Sequence, residues 1–103
     1  MVAMTAYAAL AEPHRRQILD LLRDSEQSVT DLVDRLDLSQ PGVSKHLRVL
    51  REAQLVVVRP EGRQRRYALR AQPLAEIDAW LDPYRAYWSD RLAALERHLE
   101  EHP

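Results

Sequence analysis

The side chains best suited to chemistry in this sequence are basic, and they are concentrated in one block. Residues 41–70 contain eight lysines and arginines against two acidic residues, a charge of +6 in a chain whose net charge is −1. The other residues therefore carry −7. A basic segment within a nearly neutral chain predicts a local anion-binding surface. A solvated basic face is the alternative that charge alone leaves open.

Polar residues also lie where a helix is predicted to begin. Ser39 can cap the helix through its hydroxyl, and Pro41 is tolerated in the first turn, where no N–H is needed. Helical spacing places Val43, Leu47, Leu50 and Gln54 on one side. The other side is small, polar and mostly basic: Pro41, Ser44, Lys45, Arg48 and Glu52. One face is thus predicted to pack, and the other to meet a ligand.

The four histidines do not combine with carboxylates at a recognisable spacing. His98 and His102 are one helical turn apart, a spacing that can bind a metal ion, but a C-terminus usually frays. His46 is predicted to lie on the flank of the packed face, in a packing or hydrogen-bonding role. The chain has no cysteine, which excludes disulfides and thiolate metal sites. We predict no cofactor and no metal site, with His98 and His102 as the only candidate ligands.

Four helices are predicted to position the basic block. A short helix over 6–10 precedes a second from Pro13 to about Arg23. A third begins after Ser28, with Asp31 favouring its positive end. A tight turn at 37–38 leads to the fourth helix, which is predicted to reach about residue 53. The last two helices form a predicted helix-turn-helix over residues 28–53.

A β-hairpin and a long helical region follow. Strands are predicted over 55–59 and 64–69, joined by a turn at 60–62, which gives a two-stranded wing over 55–70. Residues 73–102 carry apolar side chains at steps of three and four, typical of an amphipathic helix. Pro83 interrupts this pattern, so we expect a kink or short break near Asp82, which can cap the restart.

Size and composition indicate one globular domain over residues 1–103. The chain is 46% hydrophobic and 30% charged, and it contains no apolar run long enough to cross a membrane. The first ten residues do not have the pattern of a signal peptide. No nucleophile–base pair or phosphate loop is present, which argues against an enzyme. We expect a cytoplasmic protein without a membrane partner.

The segment 9–69 resembles the ArsR/SmtB family of bacterial winged-helix repressors. The resemblance rests on ALAEPHRRQILDLL (9–22), SVTDLVDRLDLSQPGVSKHLRVLREAQLV (28–56) and RPEGRQRRYAL (59–69). It implies a mainly α fold with a two-stranded β-wing that binds double-stranded DNA. The family's metal sensors carry cysteine pairs or histidine–carboxylate sets, and the third helix here has no cysteine. The family often has Gly where this chain has Gln54, so we expect Gln54 to extend the fourth helix slightly.

The motif and the resemblance together define the expected sites. In a helix-turn-helix the second helix enters the major groove, and an arginine-rich hairpin suits the adjacent minor groove. The predicted DNA-binding residues are Ser39, Gln40, Pro41, Gly42, Ser44, Lys45, Arg48, Arg63, Arg65 and Arg66. The N- and C-terminal helices are predicted to form a homodimer interface through Tyr7, Leu10, Trp80, Tyr84, Trp88, Leu92 and Leu95.

These features predict a sequence-specific transcriptional regulator, a homodimeric repressor on a palindromic operator. Two alternatives remain open from the sequence. One is a winged-helix module that binds protein rather than DNA. The other is a repressor gated by a small-molecule inducer of unknown identity, bound at the aromatic dimer interface.

Overall fold

Each of the first four helices begins at a side chain that accepts a backbone N–H. In the computed structural model, which describes residues 4–102, these helices are α1 (Ala6–Leu10), α2 (Pro13–Asp24), α3 (Val29–Arg35) and α4 (Gln40–Glu52). Their caps are Thr5, Glu12, Ser28 and Ser39. At α3 the cap is reciprocal, since Asp31 N–H donates to Ser28 Oγ and Ser28 N–H donates to the Asp31 carboxylate.

The apolar faces of α2, α3 and α4 meet in a single core. Ile18, Leu32, Val43 and Leu50 are fully buried there, as the helical periodicity predicts. Leu55, just after α4, is also fully buried and closes the core beneath the hairpin. The order of these elements and the helix-turn-helix over α3 and α4 agree with the sequence-based prediction.

The wing is an antiparallel pair of strands, β1 (Val56–Glu61) and β2 (Gln64–Leu69). The expected turn at 60–62 is wrong by about two residues, because Pro60 and Glu61 belong to β1 and pair with Arg65 and Gln64. In a strand that has one neighbour, only alternate residues donate their N–H groups to that neighbour. Proline, which has no N–H, is therefore tolerated at position 60. The turn is Gly62-Arg63, and Gly62 adopts φ +59° as the first residue of a tight hairpin turn requires.

The fourth helix ends earlier than Gln54, contrary to the expectation that this residue extends it. Gln54 has φ +61°, the left-handed conformation that terminates a helix. Gln54 N–H donates to Arg51 O at 3.0 Å, and Leu55 N–H donates to Leu50 O at 2.9 Å. These two bonds form a Schellman motif, and the buried Leu50 and Leu55 supply its apolar contact.

The C-terminal region is one helix, α5 (Leu74–Glu101), which continues through Pro83. The expected break near Asp82 is therefore wrong. Arg85 bridges the turn around Pro83, since its guanidinium pairs with both Asp78 and Asp82. Asp82 thus serves an ion pair within the helix rather than a new N-cap. Of α5, Leu74 and Ile77 pack against the core, and the rest extends away from it.

Candidate nucleic-acid interface

The exposed face of α4 carries the polar residues that were predicted to contact DNA. Gln40, Ser44, Lys45 and Arg48 are all exposed, whereas Val43, Leu47 and Leu50 on the other side are buried. The helix is therefore fixed by its apolar side and presents its polar side to solvent. This arrangement suits insertion of the helix into a major groove.

The start of α4 is built for close approach. Ser39 Oγ accepts the Gly42 N–H at 3.1 Å, and a Cβ added to Gly42 would lie 3.2 Å from that oxygen. Ser39, Pro41 and Gly42 thus shape the first turn, and the Ser39 hydroxyl oxygen is already engaged in the cap. Small residues here let the start of the helix approach DNA closely, while the Gly42 and Val43 N–H groups are engaged by Ser39 within the protein.

The three wing arginines divide into two groups. Arg63 in the turn and Arg65 in β2 are exposed. Arg66 turns back into the protein, where its guanidinium donates to Glu26 O at 3.0 Å and lies 3.4 Å from the Asp31 carboxylate. It also lies 3.5 Å from the Glu61 carboxylate. Alternation of faces along a strand explains why neighbouring arginines differ in this way.

The wing is joined to the helix-turn-helix by residues that sequence reasoning missed. Gln27, directly before α3, exchanges two backbone hydrogen bonds with Tyr67 at 3.0 and 2.8 Å. Arg59 donates to the Glu26 carboxylate at 2.7 Å. These contacts bring the 26–31 segment against the hairpin and fix where Arg63 and Arg65 are carried. Only the excess of acidic residues outside the basic block hinted at such partners.

The same contacts shift the titration of the acidic partners. The Ser28 backbone N–H, helped by the Ser28 hydroxyl and by Arg66, lowers the pKa of Asp31. The hydrogen bond from Arg59 lowers the pKa of Glu26, and Glu26 raises the pKa of Arg59 in return. Both carboxylates are solvent-facing, so these pairs direct the wing more than they stabilise it.

The predicted dimer residues lie mostly on a solvent-facing stripe. Trp80, Tyr84, Trp88, Leu92 and Leu95 are each about half exposed, at 45–61%. Tyr7 joins this stripe from α1, with its ring edge-on to Trp80 at 6.2 Å, and Trp80 contacts Tyr84 at 5.0 Å. Leu10 differs, because it packs partly against the core.

The histidines are arranged differently from the sequence-based expectation. His98 and His102 bring their exposed rings to 4.6 Å, with no third ligand group beside them among residues 4–102. Contrary to the view that the histidines do not assemble with carboxylates, His14 and His46 meet Glu12. Desolvation lowers the pKa of His46, against the opposing effect of the Glu12 charge. His46 faces inward from α4, in agreement with its predicted packing role.

Across the described part of the chain, none of the helices is long and apolar enough to cross a membrane.

Comparisons with known proteins agree on one family. A family model described as bacterial regulatory protein, arsR family, matches residues 12–58. The chain is 40% identical over 95 residues to the HTH-type transcriptional regulator Rv2034 of Mycobacterium tuberculosis, covering 92% of this chain and 86% of that protein. It is 36% identical over 78 residues to the arsenical resistance operon repressor of Staphylococcus xylosus, covering 76% and 75%.

A solved structure shows that the likeness extends to the fold. The ArsR-like transcriptional regulator from Rhodococcus sp. RHA1 superimposes with a TM-score of 0.68 at 34% identity. The match covers 88% of this chain and 86% of that one, so it includes the helices on both sides of the wing.

Proposed function

Since the chain belongs to the arsR family of bacterial regulatory proteins, we propose that it represses transcription as a homodimer bound to a palindromic operator. Membership of the family makes it a DNA-binding transcriptional regulator and not an enzyme. The exposed polar face of α4, held beside an arginine-bearing wing, is the observation that carries the proposal. Repression is supported by the Staphylococcus xylosus relative, which is named as a repressor.

The chemistry of each exposed side chain suggests whether it contacts bases or phosphates. Gln40 presents an amide, which can pair with adenine through two hydrogen bonds, so we assign it base recognition. Lys45, Arg48, Arg63 and Arg65 present exposed cations and are assigned to phosphates or the minor groove. We leave Arg66 out of the contact set, because its guanidinium is engaged within the protein.

The proposed dimer rests on α5. This helix spans 28 residues, and none of them is buried although a stripe of large apolar side chains follows one side. A second copy packed on the same stripe would remove this surface from water, and burial of each Å² contributes about 25 cal/mol. Tryptophan and tyrosine at the centre of the stripe suit an interface.

A symmetric dimer carries two α4 helices, and symmetry then predicts the operator. Two half-sites about one DNA turn apart, inverted with respect to each other, match a two-fold axis. A dimer seated over a promoter excludes polymerase, which is the proposed route to repression. A repressor of this kind acts on chromosomal DNA, so the proposal includes a cytoplasmic location.

The test is selection of bound fragments from the source genome by the purified chain, at roughly physiological salt. We expect an enriched imperfect palindrome beside a promoter, and deletion of the gene should raise transcription from that promoter. A folded, dimeric protein that enriches no sequence would contradict operator binding. A fall in transcription on deletion would contradict repression while leaving DNA binding intact.

A further inference from the structure

Three metal-ligating side chains meet where the start of α2 contacts α4. Glu12, His14 and His46 each offer one ligand atom, and these atoms all lie within 4.8 Å of one another. His14 Nδ1 is 2.9 Å from Glu12 Oε1, and His46 Nδ1 is 3.9 Å from Glu12 Oε2. The two imidazole rings lie side by side, with centroids 5.8 Å apart and planes inclined by 27°. The three groups therefore converge on one point.

The protein already holds two of the three groups in position. Glu12 is the N-cap of α2, and its Oε2 accepts the Arg15 N–H at 3.1 Å. His46 is held in place because it belongs to α4 and only 18% of its side chain is exposed. His14, in the first turn of α2, is half exposed, and its Nδ1 is hydrogen-bonded to Glu12 Oε1.

The nitrogen of His46 that faces this point lacks a partner. His46 Nδ1 is buried, and it makes no hydrogen bond with any of the described residues. A buried polar atom without a partner is destabilising, so a nitrogen that no protein group satisfies indicates a water or an ion beside it. The unpaired nitrogen is aimed at the Glu12 carboxylate across a gap of 3.9 Å.

We propose that Glu12, His14 and His46 form a site for Zn²⁺ or a similar first-row divalent cation. Two imidazoles and one carboxylate are a donor set that zinc accepts, with solvent as a fourth ligand. Tetrahedral bonds of about 2.0–2.2 Å place ligand atoms roughly 3.3–3.6 Å apart. The separations of 2.9 Å and 3.9 Å from Glu12 to His14 and His46 lie on either side of this range, so small rotations of the three side chains would complete the site.

The charges around the site select the kind of cation. Arg15 and Lys45 lie near enough to act on His46, and Glu12 is the carboxylate of the group. Long-range attraction for a cation is therefore weak, and binding depends on bonds to imidazole nitrogen. Such bonds favour zinc, nickel or copper over magnesium and calcium, which prefer oxygen ligands.

An ion at this place links two elements of the helix-turn-helix domain. Glu12 and His14 belong to the start of α2, and His46 is adjacent to the exposed Lys45 of α4. The bound ion would hold α4 against α2 without touching its exposed face. Because the ion binds the folded chain, it raises the unfolding temperature, by an amount that grows with the logarithm of the free ion concentration above the Kd.

The test is titration of the untagged full chain with Zn²⁺ by calorimetry, and with Co²⁺ by visible absorption, which reports imidazole coordination. We expect one ion per chain at micromolar concentration or tighter. His14→Ala and Glu12→Gln should each weaken binding by at least about tenfold, as loss of a supporting group around a metal already does. The exposed location of His14 means that His14→Ala should keep its circular dichroism spectrum.

The matched control is the double variant His98→Ala/His102→Ala, which removes the other histidine pair and should bind as tightly as the parent chain. The proposal is overturned if the parent chain binds no Zn²⁺ in this range, which would assign the His46 nitrogen to a water. It is also overturned if His14→Ala and Glu12→Gln leave the affinity unchanged. Loss of binding in the control variant would assign the ion to the C-terminal pair instead.

Discussion

Gln54 shows how a single residue decides where a helix ends, in this case α4. It occupies the left-handed position of a Schellman motif, which glycine fills most easily because it has no Cβ. Its side chain compensates in part, since Arg70 Nη1 donates to Gln54 Oε1 at 2.6 Å. The Arg70 backbone N–H also donates to Leu55 O at 2.8 Å. Gln54 therefore terminates α4 and ties this end to the segment that leads into α5.

A pair of substitutions separates the backbone strain from the side-chain contact. Gln54→Gly and Gln54→Ala both remove the hydrogen bond to Arg70, but only glycine relieves the positive φ. We expect Gln54→Gly to be more stable than Gln54→Ala, with a free energy of unfolding about 1 kcal/mol larger, measured by urea denaturation. Equal stability of the two variants would show that the backbone here is not strained.

The Asp31 carboxylate makes the stability of the protein depend on pH in the acidic range. Its folded pKa lies below the ordinary value of 3.8, since the Ser28 N–H, the Ser28 hydroxyl and Arg66 all favour the carboxylate. The stabilisation is complete above pH 3.8 and is lost as the pH falls through the folded pKa. The free energy of unfolding of the parent chain should decrease as the pH falls below about 4. We expect this decrease to be smaller in Asp31→Asn, measured by denaturant titration at each pH. Asp34→Asn, at an exposed position of the same helix, should change the decrease less.

At the scale of elements, α4 and the outer part of the wing are positioned by different forces. The helix is held by its buried apolar side, which contains Val43, Leu47 and Leu50. The base of the wing shares this core, since Val56 is buried in it and Tyr67 and Leu69 pack against it. The rest of the wing is held by polar contacts, among them the ion pair of Arg59 with Glu26. Salt screens exposed ion pairs, whereas apolar contacts are not held by charge and are not screened. The outer part of the wing should therefore be more adaptable on DNA than α4.

Substitutions in the two elements should weaken DNA binding in different ways. Gln40→Ala should change which bases are preferred, because an amide reads base edges. Arg65→Ala should weaken all sequences alike and reduce the slope of log affinity against log salt by about 0.9, the effect of one lost phosphate contact. Fluorescence anisotropy with operator and scrambled DNA over a range of salt measures both effects.

The control for these two variants is Arg97→Ala, which removes an exposed arginine on the side of α5 away from the apolar stripe. It should leave both the base preference and the salt slope unchanged. An unaltered base preference in Gln40→Ala would count against recognition by that residue. A salt slope in Arg65→Ala equal to that of the control would remove Arg65 from the phosphate contacts.

At the scale of the whole molecule, the chain is elongated and one of its helices lies mostly outside the core. It measures 64 × 33 × 20 Å, because α5 extends far beyond the core formed by the other helices. A 28-residue helix with no buried residue gains little from packing within its own chain. In the proposed dimer, association of two such helices would supply the missing burial, which small domains often need.

The proposed dimer can be tested by placing a charge in the apolar stripe. Leu92 is 61% exposed, so Leu92→Lys should leave the fold intact but put an unpaired ammonium into the interface. We expect a monomer in sedimentation at micromolar concentration, with operator affinity reduced about 100-fold or more, since each half-site is then bound separately.

Ala86→Lys adds the same charge to the exposed side of α5 away from the stripe, and this control should remain dimeric. A monomeric parent chain would refute the dimer. So would a Leu92→Lys variant that sediments like the control, because the stripe would then not be the interface.

Local sequence signals predicted most elements of the fold. Caps such as Ser28 and Ser39 and the apolar spacing of Val43, Leu47 and Leu50 act within one or two turns, so neighbouring residues are enough to determine them. The basic block indicated, in the same way, the exposed face of α4 that we propose contacts DNA. The family resemblance agreed with these signals over the helix-turn-helix and the wing.

Other features were decided only by the tertiary structure. The direction of Arg66, the course of α5 through Pro83, and the meeting of Glu12 and His14 with His46 depend on groups far apart in the chain or on how a whole helix is braced. Nothing in local spacing indicates that position 12 lies against position 46. The sequence by itself determined the elements and their exposed faces, because these follow from short-range hydrogen bonds and periodicity. The tertiary structure decided which side chains meet, because such contacts exist only after the apolar faces have packed.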